Sequence, residues 1–323
     1  MILSKNIYRQ DSVSLSVIKN CLSAAVLNEL SYIKPFYSKN NSIKPVGSIA
    51  VITYANDAGG WFETFYNYYS KIFGEESIYV VTTNSSSFGK YKLGGITALP
   101  GRSYDDSVRS QFMNYFVESL KQYYAWTILC DVDEIIVPHP NCSYSLKELI
   151  LRNKSDVLYC IGCDVIEMKD DVLFDQSLNK SILDQRKFCI LNTALNKPSI
   201  SRSLTKYSTG YHFCSHPYSP NLELKMPLIL HLKYASSCVM QSVNKMVANV
   251  DYTDAEIQRY SISTTNDITH PALNSCGGNI FSIDSAEAEN FIVNYFDSLC
   301  YDSVNKIYYN NHRYSNFLVK IVE

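Results

Sequence analysis

The sequence predicts an α/β fold with a mostly parallel central sheet flanked by helices. Residues 46–54 are a β-branched run followed by Ala-Asn-Asp-Ala-Gly-Gly, an aromatic helical pattern, and a second β-branched run at 77–83. Such strand, helix, strand alternation calls for parallel pairing through right-handed crossovers. Trp126-Thr127-Ile128-Leu129-Cys130 has the length and composition of a buried strand and stops abruptly at Asp131, Asp133 and Glu134. After about Ser236 the apolar spacing becomes helical.

In chain order, residues 1–45 read as an N-terminal helical extension closing in the polar loop SKNNSIKP. The main domain spans 46–236. Its first strand leads into a helix over WFETFYNYYSKIFG, closed by Gly74, and a second strand ends at Asn84. A short strand around Ile96 and a polar loop precede VRSQFMNYFVESLKQYY, whose apolar residues recur at three and four, and that helix delivers the chain to the 126–130 strand. Ser145 caps a short helix with Glu148 as its reciprocal partner. A strand follows at 157–165, two short strands lie within 196–219, and another runs over 228–234. Residues 237–323 form a C-terminal helical region, clearest at 239–252 and 286–311.

A chain of 323 residues, 46% hydrophobic, suffices for one large domain with appendages. A net charge of −2 and no Lys/Arg block exclude nucleic acid as the expected partner. No segment reaches the roughly 20 apolar residues that span a bilayer. The most apolar N-terminal stretch, VSLSVIKNCLSAAVL, is interrupted by Lys19 and Asn20 and fits an amphipathic helix better than a secretory leader. Ten scattered cysteines read as reduced thiols of a cytoplasmic protein. Cys160 and Cys163 lie in an apolar run and read as core rather than as a metal or redox pair.

Chemistry is expected at the strand end. The period of two in a strand sends Asp131 and Asp133 to one side and Val132 to the other. Ligands of open α/β sheets bind beyond the carboxyl ends of strands, where paired carboxylates suit a hard divalent cation that shares a substrate diphosphate. An Asp-x-Asp alone is most often a solvated turn; the apolar runs on both sides single this one out. Asp164, ahead of Glu167, ends the 157–165 strand and is a candidate general base, with turn capping as the plain alternative. His231 closes the apolar run Pro227-Leu228-Ile229-Leu230, with Lys233 two residues on along the same face, and His212 follows Thr209-Gly210-Tyr211. A histidine so placed is more often a hydrogen-bonded core residue than a ligand.

The ordered set TYANDAGGWFETFYNYYSKIFG, WTILCDVDEIIVPHP, GCDVIE, NKPSI, STGYHF and LILHLKYAS resembles bacterial glycosyltransferases of the family-2-like kind, over roughly 46–236. The resemblance implies a Rossmann-like GT-A fold, a nucleotide-sugar donor and a glycan or lipid-linked acceptor, in surface polysaccharide synthesis at the inner face of a membrane. It places Mn²⁺ or Mg²⁺ on Asp131 and Asp133, with His231 or, as second choice, His212 completing the metal or diphosphate shell. Donor affinity carried by His231 is then expected to weaken below about pH 6.5. Thr53, Asn56 and Asp57, joined by Asn84, are the expected nucleoside contacts. Arg102, Asp105 and Arg109 precede the helix leading to the acidic strand, and an arginine there would meet the diphosphate, surface ion pairing being the alternative. The chain departs from the family in carrying Asn56-Asp57 where an aspartate-rich opening is usual, and in lacking a Glu-Asp or QxxRW motif. A sugar nucleotidyltransferase and a non-catalytic nucleotide-sugar binder remain the other readings.

Overall fold

Strand β1 (Ile49–Tyr54) is buried along its whole length, as a continuous apolar run must be when both faces of a sheet are covered. The computed structural model describes residues 48–100, 105–219, 225–247, 253, 270, 273–276, 279–311 and 314–321, all within one compact unit running from Lys44 to Glu323. The expected helix at 1–45 and the side chain of Arg102 lie outside the described residues.

From β1 the chain enters helix α1 (Phe62–Phe73), which buries Phe62, Phe65 and Tyr69 on one stripe. Phe62 meets Phe88 and Tyr91 edge-on, with centroids 4.8 and 4.9 Å apart. A fully buried Phe contributes roughly 1.5–3 kcal/mol by area alone, so this stripe fixes the helix against the sheet. Gly74, at φ 90°, ends it. Strands β2 (Ile78–Thr82) and β3 (Gly95–Ala98), helix α2 (Asp106–Leu120) and strand β4 (Trp126–Leu129) follow as expected. Parallel pairing gives the order β3-β2-β1-β4.

Beyond β4 the expectation of a mostly parallel sheet fails. Among the described residues five strand pairings are parallel and six antiparallel, so the sheets are mixed. The cause is a chain that shuttles between two six-stranded sheets, so that successive strands pass from one sheet to the other rather than being laid side by side in one. A turn after β4 delivers β5 (Glu134–Val137) to the second sheet. After helix α3 (Leu146–Arg152), capped by the expected Ser145/Glu148 box, the strand predicted over 157–165 breaks in two. Its first piece, β6 (Val157–Leu158), joins the first sheet, and β7 (Ile161–Ile166) joins the second.

A single helical turn, α4 (Ile182–Gln185), precedes β8 (Phe188–Leu191), after which β9 (Ile200–Ser201) returns to the first sheet and β10 (Leu228–His231) to the second. Strand β10 pairs parallel with β7 and antiparallel with β5, so His231 lies level with Asp164 on one side and Glu134 on the other.

Helix α5 (Ser237–Val247) covers part of the span predicted at 239–252, whose remainder lies outside the described residues. The region expected to be helical to its end is not. Strands β11 (Ile280–Ser282) and β14 (Leu318–Lys320) complete the second sheet, in the order β11-β14-β8-β7-β10-β5. Helix α6 (Ala286–Asp297) stops short, and β12 (Cys300–Asp302) and β13 (Ile307–Tyr309) form a hairpin where helix was expected to continue to Asn311. Aromatic and β-branched residues flank a tight turn in which the Asp302 carboxylate accepts the N–H groups of Val304 and Asn305, a local motif that competes with helix. Cys160 and Cys163 are buried free thiols, as expected. No helix of the described residues is long and apolar enough to cross a membrane.

Candidate functional site

Where β4 hands over to β5, the Glu134 N–H donates to the Asp131 carbonyl at 3.0 Å, and the Glu134 carboxylate accepts the Asp131 N–H at 3.1 Å. This is a tight turn rather than strand, so the period-two reading of the acidic residues is wrong here. Asp131 and Asp133 take different partners instead of presenting one paired face.

Asp131 accepts from Arg109 Nη1 at 3.3 Å through one oxygen and from Lys197 Nζ at 2.8 Å through the other. Lys197, only 1% exposed, also donates to Glu134 at 2.6 Å. Burial pushes the Asp131 carboxyl up, but Lys197 and Arg109 outweigh it and hold the group well below the usual carboxylate range. The converse holds for Lys197: burial pushes it down, and Asp131 and Glu134 carry it well above the ordinary lysine value. Arg109 is further fixed by Asp106 at 2.6 Å and lies over the rings of Tyr54 and Tyr211, 5.3 Å from each centroid.

Asp133 faces His231 instead, with Oδ2 3.3 Å from Nε2. The opposite ring nitrogen, Nδ1, is 2.5 Å from Asp164 Oδ1. Asp164 is 1% exposed, and its second oxygen accepts from Asn192 Nδ2 at 2.8 Å and meets His270 Nε2 at 3.0 Å. Burial raises Asp164, yet the hydrogen bonds and charges of His231 and His270 bring it below the carboxylate range. For His231, burial acts downward and the two aspartates overcome it, leaving the imidazole pushed up to about 10. Both oxygens of this buried carboxylate are taken, by His231 on one side and by Asn192 and His270 on the other. Asp164, expected as a general base, is found holding the His231 ring with Nε2 turned to Asp133.

Glu167 forms a structural tie. Its carboxylate accepts from the fully buried Arg186 at 3.0 Å and from the Ser237 N–H at 2.8 Å, tying β7 to the start of α5. Asp105 caps α2, accepting from the N–H groups of Ser107 and Val108. Lys233 does not share a strand face with His231, because β10 ends at His231 and residues 232–234 turn, leaving the Lys233 ammonium over the Tyr234 ring at 5.4 Å. Thr53 is fully buried inside β1. The loop after β1 that carries Asn56 and Asp57 is tied to the loop after β2 that carries Asn84 by the Ala58 N–H donating to Ser87 Oγ at 3.1 Å. Asp57 accepts the Gly59 N–H at 2.7 Å, and Asn56 accepts from Tyr54 Oη at 2.8 Å. His212, anchored on the Ala194 carbonyl at 2.5 Å, stands near enough to Asp131 for its charge to be felt there.

Lys197, Asn192, His270, Tyr54 and Tyr211 are site residues that sequence reasoning did not pick out. For Lys197 a signal exists: it is the only charge between Phe188 and Ser201, and an isolated charge in an otherwise apolar and neutral stretch is buried only with a partner. His270, in the polar run TNDITHPAL, carries none. Among the described residues no group of three or more His, Cys, Asp or Glu side chains is gathered to hold a metal ion, so Asp131, Asp133 and His231 do not form a ready ligand set. Asp133 and His231 are the pair with donor atoms turned toward each other. Compared with known proteins, the chain matches no family model and no curated relative.

Proposed function

We propose that this chain is a glycosyltransferase that moves a sugar from a nucleotide-sugar donor to a glycan or lipid-linked acceptor, in the GT-A manner, in the cytoplasm at the inner face of a membrane. The observation that carries the reading is the Asp133, His231, Asp164 relay beside the Arg109, Asp131, Lys197 cluster, at the carboxyl ends of β4 and β10.

A divalent cation would take Asp133 and His231 as two of its ligands, the rest coming from a donor diphosphate and water. The facing atoms of the two residues are 3.3 Å apart, close to the roughly 3 Å between adjacent ligands of an octahedral ion with bonds of about 2.1 Å. Asp164 orients the imidazole in the way that carboxylates behind metal-bound histidines do. Charge agrees as well: a cation would displace the Nε2 proton of His231, so Asp106, Asp131, Asp133, Glu134 and Asp164 face Arg109 and Lys197, five negative charges against two positive, leaving −3 with the histidines neutral. Mn²⁺ or Mg²⁺ bound there supplies a Lewis acid for a departing diphosphate. The chain's own residues do the rest. Lys197 and Glu134 hold Asp131 in place, Arg109 is fixed between two tyrosine rings near the phosphate position, and the loops bearing Asn56, Asp57 and Asn84 form the rim where a nucleoside would dock.

Incubation with a panel of nucleotide sugars, an acceptor mixture and Mn²⁺ tests the reading. Release of a nucleoside diphosphate is expected. Pyrophosphate release from a nucleoside triphosphate and a sugar phosphate would identify a nucleotidyltransferase instead, and binding without turnover a non-catalytic protein.

A further inference from the structure

The turn at Thr209–Tyr211 carries two features that cost the folded protein stability and return nothing to it. Gly210 and Tyr211 are successive left-handed residues, at φ 70° and 61°. For glycine this is free; for tyrosine it is strained, and strain of this kind concentrates at functional sites. A Cβ on residue 210 would stand 2.7 Å from His212 Nε2, so any other residue there would be strained and would press on the His212 ring. The second feature is the Tyr211 hydroxyl. The residue is 2% exposed, and its oxygen has no hydrogen-bond partner among the described residues, whereas buried polar groups in folded proteins are nearly always paired.

The turn is also firmly held, so neither feature is a loose end. The Gly210 N–H donates to Ser110 Oγ at 3.1 Å, anchoring the turn on α2, and His212 Nδ1 is 2.5 Å from the Ala194 carbonyl. Arg109 lies over the Tyr211 ring, and the hydroxyl feels the charges of Arg109, Asp131, Asp106 and Lys197. Burial pushes its pKa up, so it remains a proton donor at any working pH.

We infer that the Tyr211 hydroxyl is a ligand-binding donor, held unpaired so that it can give its hydrogen bond to a phosphate oxygen of a nucleoside diphosphate group lying against Arg109. This rests on the nucleotide-sugar reading above and adds a specific contact to it. Tyr211 is a positioning residue here: it orients the diphosphate and takes no proton.

The variant Tyr211→Phe removes one oxygen and keeps the ring that Arg109 covers. Two measurements on the full chain decide the matter: calorimetric binding of uridine, guanosine and thymidine diphosphates and inorganic pyrophosphate in Mn²⁺, and the thermal midpoint of the ligand-free protein. The expected result is affinity weaker by about 10- to 100-fold, the range for a hydrogen bond to a charged group, with a midpoint equal to or above that of wild type because an unpaired buried hydroxyl has gone. Unchanged affinity in Tyr211→Phe, where the wild type binds these probes, would mean that a trapped water or nothing meets the hydroxyl; that overturns the inference and leaves the function standing. A lowered midpoint would assign the hydroxyl to the fold and overturn it equally. If the wild type binds none of the probes, the nucleotide-sugar reading itself falls, and this inference with it.

Discussion

His231 shows how far a residue's neighbours move its chemistry. An ordinary imidazole titrates near 6.5, and on that basis the sequence predicts pH sensitivity just below neutrality. Between Asp133 and Asp164 the group is instead pushed up to about 10. Because the folded value lies above the unfolded one, the cationic form stabilises the metal-free protein fully below about pH 6.5, and that contribution is lost as the pH rises through about 10. Unfolding by urea in the presence of a chelator, at pH 6 and pH 9.5, reads this directly. The stability advantage of wild type over His231→Gln is expected to shrink at the higher pH; an advantage that stays constant or grows would mean that His231 is not charged in the folded state. Lys197 teaches a related lesson. As a lone charge in a neutral stretch it carries a signal of burial that the sequence reading does not use, and which carboxylates it meets depends on the turn at 130–133, which no local pattern announces.

At the scale of elements, the site depends on how closely the 193–195 turn packs on β7. Gly162 permits that approach: a Cβ there would come 2.3 Å from the Asn192 carbonyl oxygen and 2.4 Å from Leu195 Cβ. The Gly162 N–H donates to Asn196 Oδ1 at 2.7 Å, so the segment carrying Asn192 and Lys197 is registered on this one residue. Gly162→Ala is therefore expected to cost at least the roughly 1–3 kcal/mol typical of overpacking and to lower ligand affinity together with stability, since both the Asp164 and Asp131 contacts move. Denaturation midpoints and binding measured side by side check this; a variant as stable as wild type would show that the turn is not held by close packing. The elements up to β4 were legible because each has one dominant signal, an apolar run or a helical spacing. Later elements were misread where two signals compete. The 157–165 run looks like one strand yet serves two sheets, and the helix begun at Ala286 stops at Asp297, ahead of a hairpin whose turn the Asp302 carboxylate builds.

At the scale of the whole molecule, the chain passes back and forth between two mixed sheets, and the charged cluster lies along these passages, drawing Asp131 from the β4–β5 turn, Lys197 from the β8–β9 connection and His231 from the end of β10. That explains why the acidic motif was readable and its environment was not. The carboxylates are adjacent in sequence, but their partners come from residues tens of positions away and are set by topology. The loops bearing Asn56 and Asn84 belong to the elements read correctly, whereas the strand-end acids are held by Lys197 and His231 from the later part of the chain. The central claim is that Asp133 and His231 hold a divalent cation that in turn holds a nucleoside diphosphate. Isothermal calorimetry of nucleoside diphosphates, with and without Mn²⁺, on wild type and on Asp133→Ala tests it most directly. The account predicts binding that requires Mn²⁺ in wild type and disappears in a folded Asp133→Ala protein; equal, metal-independent affinity in both would contradict it.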